Sequence, residues 1–65
     1  MEIKIYVEGI YNESQMTNWL DHVGVKFKRK RIDKHYNVYQ FNVMNADNNF
    51  LEILDKNNIR YFFVN

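Results

Sequence analysis

The chain has 65 residues, no cysteine, no proline and a formal charge of +1. A single domain of this length hides only about 60% of the surface that its unfolded chain exposes, and its core leaves a stability of about 3–5 kcal/mol. Lack of cysteine excludes a disulfide framework and a thiolate metal site, so bracing falls to five Tyr, five Phe and Trp19.

Glu2 to Glu8 alternates, with Ile3, Ile5 and Val7 on one face and Lys4, Tyr6 and Glu8 on the other, which predicts a half-buried strand ended by Gly9. Asn12 followed by Gln15 reads as a capping box, with Tyr11 and Met16 as a hydrophobic staple. Met16, Trp19, Leu20 and Val23 recur at helical spacing, so a helix is expected over about 12–23, stopped by Gly24 in the left-handed conformation.

Val25 to Arg31 alternates again, placing Val25 and Phe27 opposite Lys26, Lys28 and Lys30. A three-residue turn, Asp33-Lys34-His35, leads into a strand from Tyr36 to Met44 and sets Phe27 against Phe41 and Val25 against Val43. Asn45 or Asp47 caps a second helix over about 46–57 that carries Phe50, Leu51, Ile53 and Leu54 and ends at Asn57-Asn58. Ile59 to Val64 completes the set as a strand. The order strand, helix, strand, strand, helix, strand predicts an α+β fold: a ferredoxin-like βαββαβ sandwich, with a four-stranded antiparallel sheet and both helices on one face. Trp19, Leu20, Phe27, Phe41, Leu54 and Phe63 are the expected core.

The near-zero net charge conceals a separation. Lys26, Lys28, Arg29, Lys30, Arg31 and Lys34 set six cations against Asp33, a local net of +5, while three cations and seven acids elsewhere leave −4. Such a patch attracts anionic partners and speeds encounter with them. Lysines on an edge strand also serve simply to prevent edge-to-edge aggregation. Arg29 and Arg31 carry the charge round to the other side of the strand, which edge protection does not require.

Catalytic chemistry has little to stand on. His22 and His35 are the only histidines, Ser14 is the only serine, and the acids are scattered. No base–nucleophile or two-carboxylate arrangement emerges, glycine-rich phosphate loops cannot be built from Gly9 and Gly24, and no metal or cofactor site is expected. The expectation is a protein that is not an enzyme.

Ile5-Tyr6-Val7-Glu8-Gly9-Ile10 resembles the first ribonucleoprotein motif of RNA-recognition-motif domains, which share this element order; the resemblance implies that Tyr6 stacks on a base. It also implies that Tyr39 and Phe41 face nucleic acid. The pleat opposes that second implication, because Val38, Gln40 and Asn42 would then enter the core and bury two amides at about 1–3 kcal/mol each if unpaired. Tyr39 and Phe41 therefore read as core, and the resemblance covers one motif.

On the open sheet face the same pleat places Tyr6, Tyr36, Val38, Phe62 and Val64, an apolar–aromatic strip beside the lysines and thus an expected interaction site. Asn is the commonest residue, and compact, Asn-rich, Pro-free chains are frequent in bacteriophages and other mobile elements. The expected function is a phage or mobile-element inhibitor or adaptor that binds a host protein handling nucleic acid through Lys26, Lys28, Arg29, Lys30, Arg31, Lys34, Tyr6, Tyr36 and Phe62. The alternative is single-stranded RNA or DNA binding on the same face, and a homodimer is a further use of it. No segment reaches the ~20 apolar residues of a membrane helix. Met1-Glu2-Ile3-Lys4 lacks the apolar core of a signal peptide, so the expected location is the cytoplasm, the host's if the chain is phage-encoded.

Overall fold

The computed structural model describes residues 1–64. Its elements are β1 (Ile3–Glu8), α1 (Ile10–Val23), β2 (Phe27–Asp33), β3 (Val38–Val43), α2 (Asn48–Lys56) and β4 (Phe62–Phe63). The four strands form one antiparallel sheet in the order β2-β3-β1-β4, a ferredoxin-like α+β fold.

Alternation in β1 produces the expected pleat. Ile3 and Ile5 are fully buried under the helices, opposite Val43 and Phe41 of β3, while Lys4 and Tyr6 lie opposite Asn42 and Gln40 on the other face. Met16 and Leu20 of α1 and Phe50, Leu51 and Leu54 of α2 close the core, and Trp19 stacks on Phe50 at 5.7 Å between ring centroids. Phe41 is therefore core, and Tyr39 is half-buried on the same face.

Both helix stops follow from left-handed residues. Gly24 (φ 80°) lets its own N–H reach Asp21 and that of Val25 reach Leu20. Asn58 (φ 57°) does the same for α2, with Asn58 N–H donating to Asp55 and Ile59 N–H to Leu54. Asp47 is the N-cap of α2, its carboxylate accepting from Phe50 N–H at 2.8 Å. Asn45 instead accepts from Lys26 N–H, pinning the start of β2.

Several expectations need correction. Helix α1 begins at Ile10 behind Gly9, and Asn12 is no N-cap: its amide donates back to the Glu8 carbonyl at 2.8 Å. The hairpin loop runs over 34–37, because Asp33 Oδ1 accepts from both His35 N–H and Tyr36 N–H, Asn37 is left-handed (φ 53°) and a bulge falls between Arg31 and Asp33. Consequently Phe27 pairs with Val43 and Arg29 with Phe41, a two-residue slide that preserves which face each side chain occupies.

Strand β4 shrinks to two residues, since the Ile59–Leu54 bond holds the chain in the cap of α2 and Ile59 and Tyr61 pack on the core from irregular backbone. Phe63 faces the helix side opposite Ile3, yet at the sheet's outer edge it stays 59% exposed, with Tyr61 as an edge-on aromatic neighbour. Leu20, Phe41 and Leu54 are buried as expected, whereas Trp19 and Phe27 are half-buried.

Candidate functional site

Among the described residues nothing covers the face of the sheet opposite the helices. Register places Lys28 and Lys30 of β2, Val38, Gln40 and Asn42 of β3, Lys4, Tyr6 and Glu8 of β1 and Phe62 of β4 on it. Three cations thus surround two central amides, with Glu8 as the one acid of that set. Tyr6 is 41% exposed and Phe62 is 56% exposed, and their rings meet edge-on at 5.8 Å. The Tyr6 hydroxyl accepts from Gln40 Nε2 at 3.0 Å, which fixes the ring at the middle of the face. Asn42 Oδ1 is buried without a hydrogen-bond partner among the described residues, in a side chain flanked across the strands by Lys4 and Lys28.

The basic run divides between two sides of the sheet. Lys28 and Lys30 belong to the open face. Arg29 and Arg31 turn to the helix side, in register with Phe41 and Tyr39. There the guanidinium of Arg29 meets the carboxylate of Glu13, a buried residue of α1 that also accepts from Thr17 Oγ1 at 2.9 Å. Among the described residues this is the one ion pair, and it neutralises a charge that the sequence assigns to the patch. Arg31 reaches Asn37 Oδ1 at 3.3 Å. Lys26 precedes β2, and Lys34 stands in the hairpin loop, both exposed.

Tyr36 departs from the expected strip. It belongs to the hairpin loop, is 61% exposed and packs edge-on to His35 at 4.5 Å. Glu13, Gln40 and Asn42 are members of this arrangement that the sequence reading did not select. Their only sequence signal is pleat parity for the two amides.

A second concavity lies on the other side of the molecule. A cleft of about 400 Å³ runs between α1 and the segment after α2, with Val7, Met16, Trp19 and Ile59 as its apolar wall and Asn12 and Gln15 among its polar groups. None of its lining residues ionises near neutrality, so it offers no general acid or base. Among the described residues no group of His, Asp and Glu is clustered to hold a metal ion, and no helix is long and apolar enough to cross a membrane.

Fold and face together define a small α+β domain with an aromatic and lysine-bearing open sheet. Protein-family models, curated proteins and solved structures contain no match to the chain.

Proposed function

We propose that this chain is a small non-enzymatic binding protein of the phage or mobile-element inhibitor or adaptor kind, docking its open sheet face on a host protein that handles nucleic acid. The observation that carries this reading is the Tyr6–Phe62 pair, exposed on the same face as Lys4, Lys28 and Lys30. Aromatic side chains with adjacent cations make strong protein anchors, because large rigid rings lose little entropy on burial. The lysines direct docking to an acidic surface of such a host protein. Its phosphate-binding cleft would carry like charge and repel them.

Single-stranded nucleic acid is the second reading, favoured by the position of Tyr6 beside the Gln40 amide, on the same face as three lysines. Loss of Arg29 to Glu13 counts against it, since phosphate tracking requires free cations.

Titration of fluorescent single-stranded RNA with the wild type, Tyr6→Ala and Phe62→Ala at low and physiological salt tests the choice. Protein docking predicts weak RNA affinity, steeply salt-dependent and indifferent to either truncation. Tight binding that loses about 1–3 kcal/mol on Tyr6→Ala would overturn it in favour of stacking. Sedimentation equilibrium covers the remaining use of the face, a second copy, which would appear as a dimer dissociated by Phe62→Ala.

A further inference from the structure

Among the described residues the outer edge of β2 has no strand beside it, and its backbone is oriented to accept one. In an antiparallel ladder, residues alternate between bonding the neighbour and pointing away. Met44 N–H donates to the Lys26 carbonyl, which assigns Lys26, Lys28 and Lys30 to the side bonded with β3. The N–H and C=O groups of Phe27, Arg29 and Arg31 therefore point outward along the free edge. The bulge after Arg31 ends this stretch, so the usable edge is Phe27–Arg31.

Charge decides what can pair there. A second copy docking β2 against β2 would set lysine and arginine against lysine and arginine, which is destabilising across strands. The opposite edge of the sheet, from Arg60 to Phe63, brings no carboxylate either. An acidic strand meets the opposite situation: residues beside Lys28 and Lys30 on the open face would lie against unpaired cations, and those on the helix side would meet the half-buried Phe27 and the guanidinium of Arg31.

We propose that the β2 edge takes an extended acidic segment of a partner protein by strand addition, with acids on the open face and apolar residues on the helix side. Main-chain bonds to Phe27, Arg29 and Arg31 supply affinity, and Lys28 and Lys30 select the charge. This goes beyond docking of the open face, because it requires neither Tyr6 nor Phe62.

The test uses a fluorescein-labelled peptide of about eight residues alternating glutamate and valine, long enough to span the edge. Controls are the lysine–valine peptide and a glutamate–valine peptide N-methylated at alternate residues, which keeps the charge but blocks pairing. The first should bind and the controls should not, and amide hydrogen exchange should slow at Phe27, Arg29 and Arg31. Arg31→Pro should weaken binding about tenfold more than Arg31→Ala, since both remove the charge but only proline removes the outward N–H. Tyr6→Ala should bind the peptide as the wild type does, which separates this edge from the open-face reading. Equal binding of the N-methylated peptide, or no slowing of exchange at the three amides, would overturn strand addition; absence of binding by the acidic peptide would reduce the lysines to edge protection.

Discussion

Glu13 and Arg29 come from α1 and β2, and their contact determines how much positive charge β2 presents. Glu13 is buried, its side chain only 10% exposed, whereas that of Arg29 is 47% exposed, so the pair lies between a surface ion pair and an interior one. Exposed pairs are worth about 0.2–1 kcal/mol, and hydrogen bonds to charged groups about 1.5–3 kcal/mol. Arg29→Met keeps the stem but leaves the Glu13 carboxylate with Thr17 alone, at a cost of about 2 kcal/mol. Glu13→Gln retains a hydrogen-bond acceptor for Thr17 and Arg29 and should cost about 1 kcal/mol. The double mutant should lose less than the sum, by a coupling of about 1–2 kcal/mol. Urea unfolding reads this directly, because a slope of about 1 kcal/mol/M turns that coupling into a midpoint difference of about 1–2 M. Additivity within about 0.5 kcal/mol would refute the ion pair and return Arg29 to the exposed patch.

Phe41→Ala removes a fully buried ring from the centre of the sheet and should cost about 3–5 kcal/mol, enough to unfold a domain this small; an unchanged thermal transition would contradict the core as described. Asp47→Ala should cost about 1 kcal/mol by orphaning Phe50 N–H, whereas Asn45→Ala should act on the start of β2, visible as faster amide exchange at Lys26. The pKa of the Tyr61 phenol is raised above its ordinary 10.0, first by partial burial, then by charge repulsion from Asp55 and by the hydrogen bond that the phenol donates to the Asp55 carboxylate. A raised folded-state value means that stability is fully present below pH 10 and declines as pH climbs through the folded-state value, so Asp55→Asn should lower the tyrosine absorbance midpoint in an alkaline titration. Reversing Lys28 and Lys30 to Glu should preserve the circular dichroism spectrum and slow association with an acidic partner, most at low salt.

Features set by short-range chemistry were legible in the sequence. Ile3, Ile5 and Val7 fix the face of β1, Gly24 fixes the end of α1, and the order of the elements leaves few topologies open. Parity also placed Tyr6 and Phe62 together on the open face and Phe41 in the core.

The remaining features depend on distances that a linear pattern does not contain. The hairpin register turns on one Asp33 carboxylate gathering two amides, which lengthens the loop and takes Tyr36 off the sheet. Phe63 has the right parity for burial but sits at an edge beyond full cover. Pairing of Glu13 with Arg29 spans 16 residues and two elements, and nothing local marks a glutamate in the first turns of a helix as the acid that takes an arginine out of a basic run.

Docking of a protein on the open face is tested most directly by affinity capture from host lysate after nuclease treatment, comparing the wild type with the Tyr6→Ala/Phe62→Ala double variant. Open-face docking predicts a protein that survives nuclease on the wild type and is lost from the double variant, while folding is unchanged by circular dichroism. Retention of the same protein by both, or loss of every partner on nuclease treatment, would contradict it.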